Sequence, residues 1–216
     1  IQAYYSIDPT IKTLINYFGS TEDKNILFRV ENILNNLYRN IPQIRHVIDF
    51  LVLNNLKINI RVNYTPGSKK ESWYSPSSSE IGFQTTDDIT MSNVLHELLH
   101  HYAFNTYRLY HEGGAPACEE YEIRVLTDLF IRAVYPIGAK YQGMYITPSD
   151  SSQYYAYLNW LDELLYGPDY PIEYFKKNFK KYGALCLLYL KDSNLNVSQL
   201  NNYTPLLMRE LWFNFR

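Results

Sequence analysis

Two cysteines in 216 residues leave this chain without a disulfide framework. No apolar run approaches the roughly 20 residues that a membrane-spanning helix needs, so no membrane span is expected. The formal net charge is −2, with nothing to suggest a polyanionic partner, and no nucleic-acid partner is expected. The start, Ile1-Gln2-Ala3-Tyr4-Tyr5, has neither an initiating Met nor a charged n-region, and reads as a processed product or an excised domain. Internal repeats and heptad runs are missing too. Histidine is scarce, five in all, yet two of the five fall in one pentapeptide, His96-Glu97-Leu98-Leu99-His100.

On a helix, residues four apart stack on one face, so both imidazoles would emerge one turn apart. Two neutral imidazoles at that separation can grip one zinc ion, and Glu97 can reach a metal-bound water as general base. The surroundings predict the helix. Thr85-Thr86-Asp87-Asp88-Ile89-Thr90-Met91-Ser92-Asn93 is dense in N-capping residues, and residues 93–104 contain neither Gly nor Pro. Val94, Leu95, Leu98, Leu99, Tyr102 and Ala103 recur at spacings of three and four, an apolar back to a polar front.

A zinc site needs a third protein ligand and an open position for water. His111, Glu112, Glu119, Glu120 and Glu122 follow the pentapeptide. Pro116 suits the first position of a new helix running to Tyr135, and acids in its first turns suit the helix dipole. Glu112 comes only twelve residues after His100, short for a helix end, a loop and a new helix.

These residues resemble the gluzincins, zinc metallopeptidases with His-Glu-x-x-His on one helix and a glutamate ligand on the next. Glu120 stands twenty residues after His100, the spacing of thermolysin-like enzymes, while Glu119 fits that of the related aminopeptidases. In both groups apolar residues follow the ligand at five, six and nine positions. Counted from Glu120 these are Val125, Leu126 and Leu129; counted from Glu119 they are Arg124, Val125 and Asp128. The Glu119-Glu120 pair is also similar to that of clostridial neurotoxin light chains, where the second is the ligand. The resemblance therefore implies Zn2+ held by His96, His100 and Glu120, with Glu119 as the alternative. It spans residues 88–128 and departs from the thermolysin pattern at Arg124, where an Asp would hold the first histidine. Short secreted effector and toxin proteases are the implied neighbourhood, secreted or delivered to a host cell.

The implied activity is a zinc-dependent endopeptidase. Glu97 takes a proton from the metal-activated water and passes it to the leaving amine, with a protein or peptide as substrate. A second electrophile would come from Tyr107, Tyr110, His111, Arg124 or a later tyrosine. His101 lies 100° around the helix from His100 and is expected to cap a carbonyl or face solvent. A non-peptidase zinc hydrolase and a metal-free helical binding module remain as alternatives. Cys186, in the apolar run 184–190, reads as a buried thiol; Cys118, beside the acids, reads as structural, with a thiolate ligand or a Cys118–Cys186 bridge left open.

The length predicts one domain over 1–216, with helices and sheet over 1–105 and further helices over 106–216. Asp8-Pro9 opens a helix that Gly19 closes. A second runs from about Glu22 to Asn40, burying Ile26, Leu27, Val30, Ile33, Leu34 and Leu37, and a third from Pro42 to about Leu56. Lys57 to Tyr64 alternates as a half-buried strand, Pro66-Gly67 turns it, and Ser72–Tyr74 and Glu80–Gln84 are further strands. Ser149-Asp150 caps a helix that Gly167-Pro168 ends, and Thr204-Pro205 opens the last. The fold class is α+β: a mostly helical, zincin-like domain with a small mixed sheet before the His-Glu-x-x-His helix. By resemblance, the last strand would form the upper edge of the cleft, where extended substrate pairs. The 22 tyrosines are expected mostly in cores, hydroxyl at the edge.

Overall fold

The computed structural model describes residues 6–68, 70–107, 116–134, 151–167, 175–182 and 203–215, and divides into two compact units, Ile1–Thr106 and Tyr107–Arg216. The fold is α+β and mostly helical, with a three-stranded mixed sheet preceding the His-Glu-x-x-His helix. Among the described residues no helix is long and apolar enough to cross a membrane.

The first unit opens with α1, Pro9–Leu14, whose first turn is capped by the Asp8 carboxylate accepting from Thr10 N at 2.9 Å. The helix stops five residues short of Gly19. Ile15 turns extended and bridges Ile58 in parallel, and Asn16 N donates to Ile58 O at 2.8 Å. Strand pairing has taken the backbone groups that another helical turn would need. Asp23 caps α2, Lys24–Asn40, which buries Leu27, Val30, Leu34 and Leu37; Ile26 and Ile33 are only half-buried. Helix α3, Pro42–Leu53, ends three residues before Leu56 because Asn55 takes the left-handed conformation (φ 55°) and Leu56 N returns to Leu51 O.

The sheet contains β1 (Asn59–Val62), β2 (Ser72–Ser75) and β3 (Glu80–Phe83) in the order β1-β3-β2. Strand β3 lies parallel to β1 and antiparallel to β2, with Ser72 opposite Phe83 and Trp73 opposite Gly82. The last strand is therefore central, not the edge that the resemblance implied; β2 is an edge strand. On the far side, β1 is lined by residues 14–21, with Thr21 N donating to Ile60 O at 2.9 Å and Ile60 N to Ser20 Oγ at 3.1 Å. The turn after β1 closes with Ser68 N on Thr65 O, Gly67 supplying a φ of +80°. A 3₁₀ turn, Thr86–Asp88, leads into α4, Met91–Thr106, where Thr90 Oγ1 accepts from Asn93 N at 3.2 Å. Val94, Leu95, Leu98, Leu99, Tyr102 and Ala103 are all buried, as their spacing predicts.

The elements of the second unit, among its described residues, are all helical: α5 (Pro116–Val134), α6 (Ser151–Tyr166), α7 over 175–182, and α8 (Leu206–Met208), which continues as a π-helical turn through Phe213. Its core is aromatic. Trp160 stacks on Phe175 and Tyr182, and Tyr121 on Phe179. Two buried tyrosines find carboxylate acceptors: Tyr157 donates to Asp128 Oδ2 and Tyr203 to Glu122 Oε2, both at 2.7 Å. Gly167 N closes α6 on Glu163 O, whereas Ser149, Asp150 and Pro168 lie outside the described residues, as does Cys186 with its apolar run.

Candidate functional site

Helix α4 sets His96 and His100 one turn apart, and their Nε2 atoms approach to 3.1 Å, with ring centroids 4.7 Å apart and planes at 75°. A tetrahedral zinc with bonds of about 2.0–2.1 Å holds neighbouring ligand nitrogens roughly 3.3–3.4 Å apart. The observed gap lies within a few tenths of an ångström of that. His96 is buried and His100 half-buried, so the pair has one side towards the interior and one towards solvent.

Glu97, 4% exposed, is met from the sheet. The Ser72 hydroxyl donates to its Oε1 at 2.7 Å. Two further contacts join the same strand region to α4: Asn93 Nδ2 donates to Glu71 Oε2 at 3.2 Å, and Tyr74 Oη meets His101 Nδ1 at 2.9 Å. The matching pitch explains the register. Two residues of strand advance about 6.6–6.8 Å and four of helix about 6 Å, so Ser72 and Tyr74, on one face of β2, meet Glu97 and His101, one turn apart on α4. His101 is fully buried, and its Nε2 sits 2.9 Å from Leu56 O. A carbonyl only accepts, so Nε2 carries the proton and Nδ1 accepts from Tyr74. Burial holds the His101 pKa below its ordinary value, against the Leu56 bond. The ring is a neutral structural anchor that caps a carbonyl inside the first unit.

Glu120 belongs to the second unit. It is half-buried, and Arg124 Nε donates to its Oε1 at 2.9 Å. The residue that breaks the thermolysin pattern thus holds the carboxylate proposed as a ligand. Glu119 is 1% exposed, and Glu122 is fully buried. Acids placed only for the helix dipole stay at the surface, so that explanation fails for Glu119 as it does for Glu122. Glu122 accepts from Tyr203 Oη and from Met208 N at 3.0 Å, capping the start of α8. Burial drives its pKa well up, opposed by the backbone N–H groups of Met208 and Leu207 and assisted by the neighbouring Glu119 carboxyl. Val125, Leu126 and Leu129 are fully buried. Cys118 is buried with its pKa raised by burial and then by Glu122, which disfavours a thiolate there.

Of the proposed second electrophiles, Tyr107 donates to Glu210 and Arg124 is paired with Glu120, while Tyr110, His111 and also Glu112 lie outside the described residues. The sequence did not single out Ser72, Tyr74 or Asn93. Strand alternation puts Ser72 and Tyr74 on one face, but nothing in the sequence says that α4 covers that face. Comparison with known proteins finds no match: no family model, no curated protein and no solved structure matches the chain.

Proposed function

We propose that the protein is a zinc-dependent endopeptidase of the gluzincin kind, in which His96, His100 and Glu120 hold the metal and Glu97 is the general base. The three proposed ligands each offer one atom suited to a metal ion, two imidazole nitrogens and a carboxylate oxygen, a donor set that catalytic zinc sites use and that non-haem iron sites share. The observation that carries the reading is the 3.1 Å approach of the two Nε2 atoms on one helical face, with the buried Glu97 carboxylate on the same helix.

Bound there, zinc would supply an acidified water and a Lewis acid for the substrate carbonyl. The rest falls to the chain. Glu97 would take up a proton and return it to the leaving amine, work for which a carboxylate is suited. Arg124 orients Glu120 through its 2.9 Å ion pair. The outer side of β1 is occupied by residues 14–21, and β2 is the opposite edge strand. An extended peptide pairing along β2 would run beside Glu97, which that strand already touches through Ser72. The substrate is accordingly a protein or peptide. A secreted or host-delivered setting rests on the resemblance to short effector and toxin proteases alone.

The test is hydrolysis of unfolded casein by the full chain, with and without a chelator, alongside Glu97→Gln. Chelator-sensitive cleavage that zinc restores and Glu97→Gln abolishes supports the proposal. Cleavage that survives in Glu97→Gln, or hydrolysis confined to non-peptide amides and esters, overturns it.

A further inference from the structure

We infer that Ser72 is a positioning residue for the base, holding Glu97 Oε1 so that the carboxylate works through Oε2. The inference rests on the reading of Glu97 as general base. A glutamate on a helix has three side-chain torsions; the helix restricts the first, and the outer two need a partner to hold them. The Ser72 hydroxyl donates to Glu97 Oε1 at 2.7 Å, the ordinary length of a well-formed O–H···O hydrogen bond. Glu97 is nearly excluded from solvent, so water does little to compete for that oxygen.

Ser72 is itself held. Asn93 grips Glu71 on one side of it, and the Tyr74–His101 contact, anchored to Leu56 O, grips β2 on the other. The hydroxyl is therefore carried on a strand tied to α4 at both ends. A misplaced base loses rate steeply, because proton transfer demands hydrogen-bond reach in a defined geometry. A bond that only satisfied a buried carboxylate would matter for stability and leave the folded enzyme's turnover alone.

The experiment compares the parent chain with Ser72→Ala and Ser72→Thr for zinc content, casein kcat and KM, and calorimetric binding of acetohydroxamic acid to the zinc-loaded protein. For Ser72→Ala the inference expects kcat down about tenfold, KM within about twofold and zinc content unchanged. Acetohydroxamate should bind several-fold more weakly, because its proton loses an oriented acceptor. Ser72→Thr, which keeps the hydroxyl, should return kcat to within about threefold of the parent. If Ser72→Ala does not fold, Ser72→Cys, similar in size but a weak donor, replaces it under the same criteria. A folded, zinc-loaded variant with parental kcat overturns the inference, as does an effect on KM alone or equal losses in Ala and Thr. A parent without zinc or chelator-sensitive cleavage overturns the proposed function and the inference together; a parent with both leaves the Ser72 variants to decide the inference alone.

Discussion

Tyr74 donates its hydroxyl proton to His101 Nδ1 across 2.9 Å, joining the edge strand of the sheet to the helix that carries His96 and His100. Burial raises the Tyr74 pKa to about 12, with hydrogen bonds to Asn105 and Ser79 pulling the other way. A raised pKa means the folded state holds the proton longer than the unfolded chain, whose tyrosine titrates near 10. The contribution is complete below pH 10 and is lost as pH rises from about 10 to 12. Denaturation curves over that range should show the parent losing stability relative to Tyr74→Phe; parallel curves would contradict the assignment.

Trp73 lies across Gly82, its partner in the β2–β3 register. A Cβ at position 82 would fall 2.0 Å from Trp73 Cε2 and 2.5 Å from Nε1, so the indole must move to admit it. Gly82→Ala is expected to destabilise the first unit by about 1–3 kcal/mol, the usual range for overpacking, and to shift indole emission. An unchanged unfolding midpoint would show that the ring has room to give.

In the second unit, Tyr203→Phe removes a 2.7 Å donor from the buried Glu122 carboxyl. The expected loss is about 1–3 kcal/mol, the range for leaving a buried acceptor short of a partner. Trp160 and Trp212 both lie in this unit and report its unfolding by fluorescence. A loss below about half a kcal/mol would mean that the backbone N–H groups of Met208 and Leu207 satisfy the carboxyl without Tyr203.

The two neighbouring acids are predicted to differ. Glu120→Gln should weaken zinc affinity by more than about a hundredfold, beyond the 10–100-fold typical of residues behind the ligands. Glu119→Gln, at a buried position, should act mainly on stability. The reverse order, read by competition with a chromogenic chelator, would move the ligand to Glu119.

What the sequence disclosed was periodicity. The apolar stripe from Val94 to Ala103 and the cap at Thr90 are local, and α4 follows from them. The strands were also legible, because alternation is local. Their order was not: β1 pairs with β3 across twenty intervening positions, and only the three-dimensional pairing puts β3 in the middle and β2 at an edge. Helix ends were misjudged where long-range bonds won, as when Ile58 took the backbone of residues 14–16 from α1. Ser72 stayed hidden for a related reason. A lone serine in a polar stretch acquires meaning only when a buried carboxylate arrives from 25 residues away.

Metal analysis of the purified chain beside His96→Ala tests the account most directly. The account predicts zinc near one equivalent per chain in the parent and its loss in the variant, because one imidazole cannot replace two. Equal trace metal in both proteins would contradict it.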